Sequence, residues 1–172
     1  KLLPLIKDIF VGFEEDAPIE KQIQDLFKSN KSSLAVAESC TGGDIASRLT
    51  KIPGSSDFFL GSIIAYNSSI KKEILGVDEQ LIKNHSVVSK EVSKEMAFKV
   101  REKFKSTYGV STTGTAGPSR GESKEKVGTV YISISKKDKI ITEKFNFGNH
   151  RERIILKTVN KVFEMLIKSI QK

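Results

Sequence analysis

Hydrophobic side chains recur along the chain with two periods, and these periods predict an alternation of helices and strands. The first predicted helix begins at Pro18, because proline suits the first helical turn, where no N–H partner is needed. Further helices are predicted over residues 44–52, over the segment SSIKKEIL before Gly76, over 90–104 and near the end of the chain. On the first and last helices the apolar stripes are Ile19, Ile23, Leu26 and Phe27, and Ile154, Ile155, Val159, Val162, Phe163, Leu166 and Ile170.

Short apolar runs between these helices predict strands. SLAVAES has the short apolar character of a buried strand, and FFLGSIIAY and YGVSTT are two further predicted strands. The third is followed by the polar loop GTAGPSRGESKEK. The segment VGTVYISISKKDKIITEKFNF alternates on both sides of a polar turn at 136–139, which predicts a hairpin. Strands that alternate with helices and then form a hairpin predict an α/β fold, a three-layer α/β/α sandwich with a mixed sheet.

Composition narrows the class of protein. A chain of 172 residues suits one compact domain, and a single cysteine cannot form an internal disulfide, so we expect a reducing, cytoplasmic compartment. No apolar run approaches the roughly 20 residues of a membrane span, and no signal peptide is visible. The net charge of +8 is compatible with an anionic partner, from a phosphate ester to nucleic acid, or with a lysine-coated surface. Basic and acidic residues are interleaved, which favours the surface interpretation.

Three polar segments follow predicted strands, where ligands collect in open α/β sheets: ESCTGG, AYNSSIKK and TTGTAGP. In the first, Gly42 and Gly43 let backbone N–H groups approach a ligand, and the next helix would favour a developing negative charge. Ser39, Cys40 and Thr41 are three candidate nucleophiles in a row, and a hydroxyl just before such a turn would be placed to attack a carbonyl carbon. The alternative is a simple turn in which Ser39 or Thr41 caps the helix.

A serine nucleophile needs a base, and the chain contains only two histidines. Neither His85 nor His150 lies at a predicted strand end, so we expect both on the surface or in loops. Lysine can replace histidine when its pKa is depressed, and Tyr66 and Lys71 could complete a Ser-Tyr-Lys site.

Other chemistries find less support. There is no GxxxxGK[ST] phosphate loop, and GTAG fits the GxxG of a KH domain but follows a strand rather than joining two helices. No His, Cys, Asp and Glu residues have metal-site spacing, so no metal is expected. The loop cations Arg120, Lys124 and Lys126 could hold a phosphate or could simply be solvated.

Seven motifs in order resemble the C-terminal domain of the CinA family, which also occurs as stand-alone PncC-type nicotinamide mononucleotide deamidases. They are AESCTGG, IPGSS, YNSSIKKEILGV, HSVVS, TGTAGP, VGTVYI and GNHRERI. The segment IFVGFEEDAPIEKQI resembles the junction with an upstream molybdopterin-binding-like domain, and the chain begins with lysine rather than methionine. We therefore expect residues 1–17 to be a lead-in segment from an upstream domain of a longer protein, and 18–172 to be the CinA C-terminal-like amidohydrolase domain.

The resemblance implies hydrolysis of the carboxamide of nicotinamide mononucleotide to nicotinate mononucleotide and ammonia. It also implies a homodimer and no cofactor. Ser39 matches the family's nucleophile, and Tyr66 and Lys71 match its activating pair. The implied substrate-binding residues are Thr41, Gly42, Gly43, Gly114, Ala116, Gly117 and Arg151.

The chain departs from the family pattern at three positions. Arg120 and Lys126 replace a glycine and a proline, which suggests a differently shaped loop, and Arg151 lies one residue further from Gly148 than usual. Two other functions stay open: a pyridine-nucleotide-binding module without catalysis, and a competence or DNA-associated protein, which the pI near 9.5 would suit. Basic and aromatic residues are not interleaved, so nucleic acid is not an expected partner.

Overall fold

A five-stranded mixed sheet forms the centre of the computed structural model, which describes residues 17–171. Its strands are β1 (Leu34–Glu38), β2 (Phe59–Ile64), β3 (Tyr108–Gly114), β4 (Thr129–Ser135) and β5 (Ile140–Asn146). They are arranged in the order β2-β1-β3-β4-β5. Strand β1 is parallel to both of its neighbours, β2 and β3, whereas the β3-β4 and β4-β5 pairs are antiparallel. The predicted mixed sheet and hairpin are confirmed.

Helices cover both faces of this sheet. They are α1 (Ile19–Ser29), α2 (Asp44–Thr50), α3 (Ser68–Ile70), α4 (Glu79–His85), α5 (Lys90–Phe104) and α6 (Arg151–Ile170). Helices α1, α2 and α6 enclose one apolar core, while α5 and the turn after α3 enclose the other. The predicted three-layer sandwich is therefore confirmed.

Strand β1 separates the two cores, and all five of its residues are buried. Leu34 and Val36 belong to the core under α1 and α6, whereas Ala35 and Ala37 belong to the core under α5. Successive side chains of a strand point to opposite faces, so this short run supplies both layers at once. Its carboxyl end thus lies in the middle of the parallel part of the sheet.

Two local features were not predicted from the pattern. Helix α4 is short and has no buried residue, so its apolar signal is weak, although Asp78 caps it by accepting from the Gln80 N–H at 2.7 Å. The predicted helix over SSIKKEIL forms only as α3 and then widens into a π-helical turn at Lys71–Leu75. Such turns are rare and occur often at functional sites.

Both histidines are exposed, as predicted: His85 ends α4 and His150 precedes α6. Within residues 17–171, no helix is long and apolar enough to cross a membrane. Of the predicted lead-in segment, residues 1–16 lie outside the described range.

The close approach of α5 to β3 generates a test of the fold. A Cβ added to Gly109 would lie 2.2 Å from the Ala97 carbonyl oxygen and 2.6 Å from Arg101 Cβ. We expect Gly109→Ala to lower the free energy of unfolding by about 1–3 kcal/mol in a urea titration, because α5 must move away from the sheet. Leu156→Ala, which alters an exposed side chain of α6, should change it by no more than about 0.5 kcal/mol. Equal stability of Gly109→Ala and the wild type would contradict this packing.

Candidate active site

The site begins where β1 ends and turns into α2. The Ser39 N–H donates to the Thr112 carbonyl at 3.0 Å, which continues the pairing with β3 by one residue. The Gly42 N–H then donates to the Ser39 carbonyl at 3.1 Å and closes the turn. Gly42 and Gly43 have φ angles of 61° and 102°, a conformation that residues with a side chain rarely adopt. The two glycines therefore make the turn tight.

The buried carboxylate of Glu38 holds this turn against α2. Its donors are the N–H groups of Gly43, Ile45 and Ala46 at 3.0–3.1 Å, and the hydroxyls of Thr41 and Ser62 at 2.8 and 3.3 Å. Glu38 therefore satisfies the N–H groups that a helix start leaves unpaired, and neither Ser39 nor Thr41 caps α2. Because these N–H groups already serve Glu38, the start of α2 does not face a ligand as the sequence suggested.

Thr41 has a second structural contact. Its Oγ1 lies 2.9 Å from Thr112 Oγ1, so the turn is tied to β3 as well as to Glu38. Thr41, Gly42 and Gly43 do not line the cavity described below. They build the turn that presents Ser39.

Lys71 lies beside Ser39, although the two residues are distant in sequence. Its Nζ is 3.0 Å from Ser39 Oγ, 2.7 Å from the Ala65 carbonyl oxygen and 3.3 Å from the Tyr66 carbonyl oxygen. A neutral amine has two hydrogens and one lone pair, so it can donate to both carbonyls and accept from the Ser39 hydroxyl. The arrangement therefore suits a lysine that removes a proton from a serine.

Burial lowers the pKa of Lys71 from 10.5 to about 8, and only 2% of the residue is exposed. Cys40 and Glu122 oppose this shift by a smaller amount. Burial also raises the pKa of Cys40 to about 12, so its thiol is uncharged near neutral pH. A substantial fraction of Lys71 is thus deprotonated in mildly alkaline solution, while Cys40 stays protonated.

The π-helical turn brings Lys71 to this position. Asn67 begins α3 by accepting a hydrogen bond from the Ser69 N–H at 2.9 Å. The turn ends at Gly76, whose φ of 85° reverses the chain, and it buries both Lys71 and Leu75. Lys72, the next residue, points outward instead and pairs with Glu79 at 3.4 Å.

Ser39 and Lys71 line a cavity of about 330 Å³. Five other residues that the family resemblance implied for the site also line it: Tyr66, Gly114, Ala116, Gly117 and Arg151. They come from the ends of β2 and β3 and the start of α6. The structure therefore brings together seven of the ten predicted site residues.

The Tyr66 side chain does not join Ser39 and Lys71 as the predicted activating pair requires. Its hydroxyl accepts a hydrogen bond from Arg151 Nη2 at 2.7 Å, and 58% of the residue is exposed. Arg151 Nη1 also donates to the Gly117 carbonyl at 2.7 Å. Arg151 thus connects Tyr66 to the loop after β3, and Tyr66 contacts Lys71 through its backbone carbonyl.

Comparison with known proteins identifies the family of this chain. A family model for the CinA C-terminal domain matches residues 16–170. The chain belongs to the CinA family. This finding confirms the resemblance drawn from the seven motifs.

CinA-like proteins are similar over nearly the whole chain. One from Flavobacterium psychrophilum is 44% identical over 172 residues, which is 100% of this chain and 41% of that protein. One from Amoebophilus asiaticus is 40% identical over 171 residues, 99% of this chain and 41% of that protein. The chain spans about two fifths of the length of these relatives.

Solved structures share the fold. The competence/damage inducible protein CihA from Agrobacterium tumefaciens has a TM-score of 0.84 at 29% identity, covering 90% of this chain and 94% of that chain. A competence-damaged protein (CinA) superfamily protein from Escherichia coli has a TM-score of 0.82 at 27% identity, covering 94% and 96%. The CinA fold is thus present throughout the part of the chain that carries the site.

Sequence reasoning missed two carboxylates of this CinA domain. Glu38 ends a predicted buried strand, and a buried carboxylate must find several donors, which was an available signal. Glu122 lines the cavity and its Oε1 accepts from Ser68 Oγ at 3.2 Å. Nothing in the polar loop around Glu122 distinguished it from a solvated residue.

The loop after β3 is anchored at a second point. Glu125 Oε1 accepts from the Tyr131 hydroxyl at 2.7 Å and from Lys144 Nζ at 2.8 Å. The loop residue Lys124 also donates its N–H to Ser86 Oγ at 3.3 Å. These contacts connect the loop to the antiparallel side of the sheet and to the segment after α4.

The Glu38 contacts predict a stability effect. Gln has the shape of Glu, but its amide nitrogen is a donor and not an acceptor. It would face N–H groups of α2 or the hydroxyls and leave them without an acceptor. We expect Glu38→Gln to lower the free energy of unfolding by about 1.5–3 kcal/mol in urea, and Glu73→Gln, at an exposed position, by no more than about 0.5 kcal/mol. A Glu38→Gln protein as stable as the wild type would contradict the capping role.

The Lys71 pKa predicts how stability depends on pH. Since the folded pKa of about 8 lies below 10.5, the unfolded chain binds the proton more tightly, so burial of Lys71 costs stability at and below pH 8. That cost disappears as the pH rises from about 8 toward 10.5, and it amounts to about 3 kcal/mol. We therefore expect the wild type to gain stability relative to Lys71→Met when urea titrations are compared at pH 7 and 10.

The matched control is Lys72→Met, which removes the neighbouring lysine from the surface. The difference in the free energy of unfolding between Lys72→Met and the wild type should be the same at pH 7 and at pH 10. If the free energies of unfolding of the wild type and Lys71→Met differed by the same amount at pH 7 and 10, the pKa of Lys71 would be ordinary.

Proposed function

We propose that this CinA domain hydrolyses the carboxamide of nicotinamide mononucleotide to nicotinate mononucleotide and ammonia. The observation that carries the proposal is the 3.0 Å contact between Lys71 Nζ and Ser39 Oγ in the wall of the cavity. A buried amine with a lowered pKa beside a serine is an arrangement that activates a nucleophile. The identity of the substrate comes from the family resemblance.

In the first half of the reaction, Ser39 Oγ attacks the carboxamide carbon and its proton passes to Lys71 Nζ. The tetrahedral intermediate then breaks its C–N bond, and Lys71 returns that proton to the departing nitrogen, which leaves as ammonia. In the second half, water attacks the Ser39 ester, Lys71 takes a proton from the water and Ser39 Oγ regains it. One water is consumed, and the acid and ammonia are formed.

The carboxamide oxygen gains negative charge during both attacks and needs donors. The start of α2 cannot supply them, because Glu38 occupies its N–H groups. Ala116 and Gly117 line the cavity, and within residues 17–171 their N–H groups donate to no acceptor. We assign the oxygen to these two N–H groups.

Ser39 rather than Cys40 is the proposed nucleophile. Cys40 packs against Gly114, only 6% of it is exposed, and its pKa of about 12 keeps the thiol protonated. A thiol attacks as the thiolate, so Cys40 is inert at neutral pH. Lys71, by contrast, contacts the Ser39 hydroxyl directly.

The proposal is tested by following ammonia release from nicotinamide mononucleotide. We expect Ser39→Ala to lower turnover by about 10³- to 10⁶-fold, and Cys40→Ala by less than about tenfold. Lys71→Arg should also be severely impaired, since it keeps the charge but loses the base, and wild-type kcat/KM should rise with pH through about 8. An active Ser39→Ala protein and an inactive Cys40→Ala protein would reverse the assignment.

Two further outcomes would decide between this proposal and its alternatives. Tight binding of nicotinamide mononucleotide without ammonia release would indicate a nucleotide-binding module. A salt-dependent mobility shift of DNA, with neither binding of nicotinamide mononucleotide nor ammonia release, would indicate the competence-related alternative.

We also propose that the domain forms a homodimer through β2, which is an edge strand of the sheet within residues 17–171. Leu60 and Ile64 are 45% and 50% exposed on this edge strand. Burial of such side chains against a second copy would remove them from water.

We expect light scattering at micromolar concentration to give twice the monomer mass of 19.1 kDa, and Leu60→Glu to give the monomer. A wild-type mass of one chain would contradict the dimer.

A further inference from the structure

We propose that Arg120 binds the phosphate of the substrate and thereby makes the enzyme selective for a phosphorylated nicotinamide. The inference rests on the proposed function, because it names the side chain that recognises one part of the proposed substrate. Three loop cations were open as phosphate ligands on the sequence: Arg120, Lys124 and Lys126. Of these, only Arg120 lines the cavity.

Arg120 also differs from the other cations of the cavity wall. Lys71 is hydrogen-bonded to Ser39 and to two carbonyls, and Arg151 donates to Gly117 and Tyr66. The Arg120 side chain makes no hydrogen bond or ion pair with any residue in the described range 17–171. Its guanidinium donors are therefore available to a ligand.

The depth of the cavity places Arg120 at the correct end of the substrate. Ser39 and Lys71 are buried and form the floor, whereas Arg120 is exposed and lies at the rim. In nicotinamide mononucleotide the ribose separates the carboxamide-bearing ring from the phosphate. A carboxamide at the floor thus directs the phosphate toward the rim, where a planar guanidinium can bind two of its oxygens.

Glu122 restricts where the phosphate can lie. This carboxylate lines the same cavity and accepts a hydrogen bond from Ser68, and within residues 17–171 no ion pair joins it to Arg120. Its negative charge repels a phosphate on the Ser68 side of the rim. The side formed by Arg120 is then the favourable one.

The first test compares turnover of nicotinamide mononucleotide with turnover of nicotinamide riboside, which lacks the phosphate. We expect Arg120→Ala to lower kcat/KM for the mononucleotide by about 10- to 100-fold, the loss for a charge-assisted contact, and to leave the riboside unchanged. Lys124→Ala removes the same charge from the same loop outside the cavity, and should change either value by less than about threefold. An equal loss for both substrates, or an equal loss in Lys124→Ala, would overturn the proposal.

The second test measures binding without chemistry. Calorimetry on Ser39→Ala should show tighter binding of the mononucleotide than of the riboside, and this advantage should disappear in Ser39→Ala/Arg120→Ala. Binding through Arg120 without ammonia release from the wild type would contradict the proposed hydrolysis and support this inference. If Arg120→Ala hydrolysed the mononucleotide and still preferred it to the riboside, the result would support the hydrolysis and contradict the role of Arg120. If neither compound bound, both proposals would be overturned.

Discussion

The buried carboxylate of Glu38 is the contact on which the rest of the site depends. Its two oxygens accept from the start of α2, from Thr41 in the turn and from Ser62 on β2. A buried charge is tolerated only when it has several donors, so these elements are held in one arrangement. Because Ser39 follows Glu38 directly, its hydroxyl is held with them. The helix start therefore serves the fold, and the proposed hydrolysis needs oxyanion donors from another part of the site.

Lys71 is the candidate base beside this turn. Removing an amine from water disfavours its charged form, which lowers its pKa. In the fold, Nζ of Lys71 has three hydrogen-bond partners, which are two carbonyl oxygens and one hydroxyl. The π-helical turn is what buries it, since its neighbour Lys72 lies at the surface and pairs with Glu79. The stability lost at this position accompanies a lysine with a pKa of about 8, which the proposed mechanism uses as its base.

Much of this arrangement could be predicted from the sequence. Because the carboxyl ends of parallel strands meet at one edge of a sheet, the segments after three predicted strands were expected to converge. Ser39, Lys71, Gly114 and Gly117 do line one cavity. The hydrophobic pattern predicts the strands, and the convergence of their carboxyl ends predicts where the candidate site lies and which segments form it.

The remaining features depend on contacts that no pattern encodes. The Tyr66 hydroxyl was expected beside Lys71, but the distant Arg151 holds it across the cavity rim. The capping role of Glu38 requires knowing that α2 returns onto β1, and the π-helical turn at Lys71 leaves the same apolar spacing as a short α-helix. Such features are set by tertiary packing, which overrides local propensity.

Lys71, held against Ser39 with a pKa of about 8, is the proposed base, and its titration tests this role directly. Lysines carrying ¹³C at the ε position can be followed by NMR between pH 6 and 12, with Lys71→Arg identifying the Lys71 resonance. The structure predicts a transition at about pH 8 for this one signal. A Lys71 signal that titrates near the ordinary lysine value of 10.5 would contradict this assignment.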